Sequence, residues 1–226
     1  MPDKTSDGRI TICCAGFSPT KGFIRIYPTT LKSPLKNWNI VRVPVEKDNR
    51  DTRCESWKIQ GSKKDYLKLH EKIEVIGCIK DKSEKIKLLE NNLSPCIDDL
   101  NDLKKSLGVI KPLEIIEAYF TEREDFEPFS QLSLEGRPEF ITIKKYKLNP
   151  RLKYRCSGCK KKIHDQQLLE WGAYEWLRKN PGNEKKLWEN LHLFDDEYVK
   201  YFLVGNISWR RSSFMVISVL RLKKTE

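Results

Sequence analysis

"RITICCAGFSPTKGFIRIYP", residues 9–28, alternates along its length. Ile10 and Ile12 share one face of the first run, and Phe23, Arg25 and Tyr27 oppose Ile24 and Ile26 in the second. Alternation of period two marks strands, and the Ser18-Pro19 turn signal between the runs makes them a hairpin. Two more short runs follow. "WNIVRVPVEK" (38–47) places Val41, Val43 and Val45 on one face, and Pro44 confines it to an edge or bulged strand. "RCESWKIQG" (53–61) reads as a fourth strand. Short strands at this spacing, cut by Gly and Pro turns, predict a small barrel or sandwich.

The pattern then changes. Residues 62–79 and 94–108 carry Ser or Asp near their starts and read as helices, with Leu100, Leu103 and Leu107 on one face and Gly108 as the stop. Residues 109–120 read as a strand restarted around Pro112, and 121–138 as an acidic, turn-rich linker. In the second half, 139–148 and 151–156 are strand-like. Residues 165–180 read as a helix carrying Leu169, Ala173, Trp176 and Leu177 on one side, ended by Pro181-Gly182. A short helix over 184–194 precedes a closing hairpin of 198–207 and 212–224. The expected class is α+β: two small β-rich modules with inserted helices, over 1–120 and 139–226.

Within the second half, "CSGCKKKIHDQQLLEW" (156–171) holds Cys156-x-x-Cys159 and His164. Two cysteines at this spacing can hold one ion from a tight turn, which Gly158 suits, and His164 is within reach. From Ile141 to His164 there are nine Lys/Arg and no acidic residue. Such a field is expected to favour thiolates and to disfavour an ion bound by carboxylates. Zinc is the expected cofactor. Three ligands are legible and the fourth is not. Asp165, a water, or Cys13, Cys14 or Cys54 from elsewhere in the fold are the candidates. The remaining single cysteines, Cys78 and Cys96 among them, read as core-filling thiols.

The charge balance, 43 Lys+Arg against 32 Asp+Glu, gives a net +11. A chain this basic commonly meets a polyanion. "IKKYKLNPRLKYRC" interleaves Tyr146 and Tyr154 with Lys144, Lys145, Lys147, Arg151, Lys153 and Arg155, and Lys160, Lys161 and Lys162 follow. "NISWRRSSF" sets Trp209 beside Arg210 and Arg211 in a hairpin turn. Cations neutralise phosphates and aromatic faces stack on unpaired bases, so these twelve side chains other than the tyrosines are the candidate nucleic-acid contacts, with the tyrosines as stacking faces. Solubilising lysines and half-buried tyrosines are the plainer alternative.

Enzyme signatures are missing. There is no phosphate-binding glycine loop, nucleophile elbow or zinc-deaminase pattern. Glu170, six residues after His164, is the one candidate general base for a zinc hydrolase or nuclease. No run of 18 apolar residues occurs, and no secretory signal opens the chain, so a cytoplasmic location is expected.

The succession "ICCAGF", "FIRIYP", "WNIVRVPV", "RCESWK", "KSLGVIKP", "CSGCKKKIHDQQLLEW" and "YFLVGNISWRRSSFMVISVLR" resembles a group of prokaryotic dual-OB domain proteins, over roughly residues 10 to 222. The resemblance implies two OB-like barrels and a Cys/Cys/His site in the second. Some members of that group lie near defence or mobile-element genes. Two positions depart from its pattern. Gly172 stands where a second acidic residue is common, which weakens a paired-carboxylate reading, and Cys54 stands where Pro is common. The expected function is a non-catalytic, nucleic-acid-associated accessory protein with a structural zinc, working with a larger protein subunit. A zinc hydrolase and a protein-interaction scaffold are the alternatives.

Overall fold

The computed structural model describes residues 2–4, 9–61, 65–127, 142–159 and 163–224. The hairpin of the opening stretch forms as β2 (Ile10–Ser18) and β3 (Gly22–Thr29), with β1 (Pro2–Lys4) added to the edge of β2. Gly22 closes the turn with φ of 71°, a conformation that costs other residues more. Pro44 does more than make an edge. It splits 38–47 into β4 (Asn39–Arg42) and β5 (Val45–Lys47), which enter different sheets. β5 pairs with β6 (Ser56–Ile59), and β6 lies parallel to β3, giving the order β1-β2-β3-β6-β5. β4 pairs with β7 (Glu74–Cys78).

The helical reading of 62–79 is corrected here. A 3-10 turn occupies Tyr66–Lys72, and the β-branched run Ile73, Val75 and Ile76 then favours β7. α1 (Lys82–Glu90), which the sequence reading did not anticipate, starts at Asp81, whose carboxylate accepts the Glu84 N–H. α2 (Ile97–Asp102) ends well before Gly108. Its stop is Lys104 at φ of 54°, with Lys104 N–H donated to the Asn101 carbonyl and Lys105 N–H to that of Leu100, the paired closure of a Schellman motif. Gly108 instead lies in β8 (Leu107–Ile110), where a Cβ would stand 2.7 Å from Leu100.

After Pro112 the chain continues as β9 (Glu114–Glu122). β10 (Leu148–Arg155) and β11 (His164–Gln167) complete one sheet, in the order β11-β10-β9. Part of the 139–148 strand reading falls on a 3-10 turn at Ile143–Lys145, and 139–141 lie outside the described residues. The helix expected over 165–180 is corrected too. His164, Gln166 and Leu168 are buried in alternation, so this segment is a strand, and α3 spans Trp171–Lys179. α4 (Lys186–Asn190) leads to β12 (Tyr198–Ile207) and β13 (Arg210–Lys223), ordered β13-β12-β8. The class is α+β, mostly strands; among the described residues these form four sheets, which are not closed into the expected barrels.

The sequence reading ends its first module at residue 120 and gives 121–138 to a linker; β8 and β9 join sheets with strands that follow that linker. β8 pairs with β12 and β9 with β10. One core runs from Cys96 and Leu100 through Leu152 and Tyr154 to Phe202 and Val219. A smaller core of Ile26, Ile59, Leu69 and Ile73 serves the first half. The two meet across a third cluster, in which Phe23 and Trp38 pack against Leu89, Val109, Tyr201 and Leu222, and beside it at a polar seam. Arg25, 5% exposed, donates to the carbonyls of Asn206 (3.0 Å) and Ser106 (3.1 Å). Arg53 donates to Asn206 as well, and the Glu55 carboxylate accepts both the N–H and the hydroxyl of Ser106 at 2.8 Å. These bonds give partners to the Asn206 carbonyl and the Ser106 N–H, and add a second donor to the Ser106 carbonyl, which also accepts the Asn206 N–H. Among the described residues, no helix is long and apolar enough to cross a membrane.

Candidate metal centre

Cys156 and Cys159 flank the turn that leaves β10, and His164 opens β11 directly opposite Tyr154. Hairpin pairing therefore folds the imidazole back over the two thiols. The third thiol comes from Cys96, at the N-cap of α2, where its sulfur accepts the Asp98 N–H at 3.3 Å. Gly158 makes the approach possible. A Cβ there would stand 3.3 Å from the Pro95 ring and 3.7 Å from Cys96 Cβ.

The four ligand atoms of Cys96, Cys156, Cys159 and His164 all lie within 4.8 Å of one another. Cys96 Sγ is 3.1 Å from Cys159 Sγ and 3.6 Å from His164 Nε2, which is 2.7 Å from Cys159 Sγ. A tetrahedral ion with metal–sulfur bonds of about 2.3 Å spaces its sulfurs about 3.8 Å apart, so small side-chain adjustments admit an ion. Cys96, Cys156 and His164 are buried and Cys159 half-buried. The cluster can hold a metal ion and supplies all four donors of a closed site. The Tyr154 ring lies 5.4 Å from His164, and its hydroxyl donates to Gln166, also buried, so the floor of the site is packed.

Two expectations change. The missing ligand is Cys96, read from sequence as a core thiol; Cys13, Cys14 and Cys54 are not part of the cluster, and Cys54 and Cys78 are exposed. Nor does a positive field govern the thiols. Burial pushes Cys96 up to about 11, and burial followed by the Cys159 thiol raises Cys156 further. Only a cation among the sulfurs themselves would reverse that preference. Glu170, half-buried, has its carboxylate engaged by the Val219 N–H at 2.8 Å.

The basic strand also differs from its sequence reading. β9 lies beside β10 and answers its cations with carboxylates. Lys147 pairs with Glu122, Lys153 with Glu117 and Arg155 with Glu114, while Arg151 pairs with Asp165 of β11. Lys144 pairs with Glu127. Lys145 lies in the 3-10 turn beside them. Tyr146 and Tyr154 are 4% and 0% exposed, so neither ring is available to a base. Lys160, Lys161 and Lys162 lie outside the described residues. Trp209, 78% exposed, and Arg210 and Arg211 project from the β12–β13 turn.

Residues 1–91 match a domain of unknown function, DUF8758. The DUF8758 region takes in β1 to β7 and α1 and ends before Cys96, so all four ligands lie beyond it. No curated protein and no solved structure matches the chain.

Proposed function

We propose that the chain is a non-catalytic, nucleic-acid-associated accessory protein of the dual-OB kind, whose second half is an OB-like ring clamped by zinc. The observation that carries this reading is the closed donor set. Four side chains from two distant segments leave no position for a reacting water, which is the pattern of a structural zinc rather than a catalytic one. The engagement of Glu170 with Val219 supports the same reading, since the one candidate base already serves the backbone.

Strand order supports the OB-like ring. β9, β10 and β11 follow in turn. Leu168, just past β11, bridges in parallel to Val216 of β13, and Leu169 N–H donates to the Val216 carbonyl. β13 then pairs with β12 and β12 with β8, and residues 111–113 return the chain to β9. Counting β8 and β9 as one strand bent at Pro112 gives five strands in the order an OB-fold needs, with β11 and β13 joined by the Leu168–Val216 bridge and not by a continuous ladder. The net +11 charge and the exposed Trp209-Arg210-Arg211 tip favour a nucleic-acid partner.

Metal analysis of the purified protein and a fluorescence anisotropy titration with a labelled single-stranded oligonucleotide at two salt concentrations test the proposal together. One zinc per chain and affinity that falls steeply with salt are expected. Absence of oligonucleotide binding at low salt would leave the scaffold alternative standing. Metal-dependent hydrolysis that Glu170→Ala abolishes would restore the enzyme alternative.

A further inference from the structure

The polar seam between the halves has an outer rim, with an aromatic ring held under two cations on one side and an exposed Trp-Arg-Arg turn on the other. On the first half, Trp57 of β6 is half-buried, with Lys47 Nζ 4.1 Å and Lys21 Nζ 4.5 Å from its ring centroid. Both lysines are exposed, and neither has an acidic partner among the described residues. On the second half, Trp209 stands beside Arg210 and Arg211 with all three exposed. A chain of hydrogen bonds joins the two places. Lys47 donates to the Cys54 carbonyl, and the adjoining Arg53 donates to the Asn206 carbonyl at 2.8 Å. The Asn206 amide in turn donates to the Arg211 carbonyl at 2.6 Å. The acidic side chains of the connecting loop are neutralised locally, Asp48 by Arg50 and Asp51 by Arg53.

The geometry points to a binding surface for a single-stranded nucleic acid that crosses the seam, with Trp57, Lys21 and Lys47 at one end and Trp209, Arg210 and Arg211 at the other. This rests on the nucleic-acid reading above and gives it an address, different from the basic strand β10. Two ammonium groups held over the Trp57 ring suit phosphates at that end, and the exposed Trp209 ring beside two arginines suits a base with its neighbouring phosphate at the other, whatever the base. Arg25, Arg53 and Glu55 hold the halves in fixed register beneath it, so the two ends keep a constant separation and one strand engages both.

Anisotropy titrations of the full chain with a fluorescein-labelled thymidine oligonucleotide of about 24 nucleotides, enough for two such sites, test the inference. Trp57→Ala and Trp209→Ala are each expected to weaken binding about tenfold. Because Trp57 is half-buried, the exposed pair Lys21→Ser/Lys47→Ser tests the same end while leaving the ring in place. It should lower the salt slope by about 1.4, two single-strand phosphate contacts. Wild-type affinity and salt slope in that lysine variant, with the parent chain binding normally, would overturn the two-ended surface and leave the proposed function intact. A parent chain that ignores the oligonucleotide but binds polyglutamate would overturn both, in favour of an acidic protein partner.

Discussion

The sulfurs of Cys96 and Cys159 stand 3.1 Å apart across 63 residues of chain, and Cys96 reaches that position as the N-cap of a six-residue helix. The helix is short and buries only Ile97 and Leu100 in the core, so the thiol contact and the metal it invites add to that burial in tying α2 to the β10–β11 turn.

Cys96→Ser should therefore behave as a ligand substitution. Zinc content is expected to fall from one per chain to near zero in competition with a chelator, with an affinity loss of about 100-fold or more and a lower melting temperature. Cys54→Ser and Cys78→Ser, both at exposed thiols, should retain the metal. Atomic emission analysis after dialysis against chelator separates these outcomes.

Gly108→Ala should destabilise the second half. The added Cβ would meet both Leu100 methyl groups at 2.7 and 2.8 Å, and Leu100 is 1% exposed with no room to withdraw. A cost of about 1–3 kcal/mol is expected from overpacking. In a Leu100→Ala background the same substitution should cost much less, and a double-mutant cycle by urea melts measures the coupling.

Two carboxylates, Glu55 buried and Glu170 half-buried, should give opposite responses to acid. Burial alone would raise Glu55, but the N–H and hydroxyl of Ser106 outweigh it and hold the group below its usual 4.5. A lowered folded pKa contributes stability that is present above the unfolded value and lost as pH falls through the folded one. Burial raises Glu170, and the Val219 N–H and Arg221 only partly offset it. Its contribution is complete below the usual 4.5 and declines as pH rises through the raised value. Glu55→Gln should lose about 1–2 kcal/mol at neutral pH and flatten the acid limb. Glu170→Gln should hold or gain stability at neutral pH and keep its zinc. Urea melts between about pH 3 and 7 check both signs.

Lys153→Ser and Arg155→Ser are expected to shift stability by less than about 0.5 kcal/mol, because each breaks one exposed cross-strand ion pair. Oligonucleotide affinity should change far less than it does for Arg210→Ser/Arg211→Ser, whose side chains have no competing carboxylate among the described residues. Paired anisotropy titrations at one salt concentration make the comparison.

The hairpins β2–β3 and β12–β13 were legible because alternation and turn residues act locally. So was the Cys156, Cys159 and His164 trio, whose spacing lies within one turn and one strand. Cys96 was not, because a lone cysteine in "SPCI" carries no sign of what lies 60 residues further on; its N-cap position is the nearest local signal. The strand at His164–Gln167 was misread as helix because Gln166 is polar yet buried, and its reason for burial, the Tyr154 hydroxyl, sits on another strand. The β10 cations looked free for the same cause: the register that sets Glu117 against Lys153 and Glu114 against Arg155 is a property of the pairing, not of either segment.

The order of the four ligands along the chain has a consequence for biosynthesis. Cys96 leaves the ribosome first and must wait for His164, so the four donors cannot come together until 68 further residues have been made. The DUF8758 region, with its own small core, is by then already out and free to fold, since domains generally fold as they emerge. Scarcity of metal during translation would thus strike one end of the molecule: a nascent chain with its first sheet assembled and its last hairpin still searching for a floor to pack on.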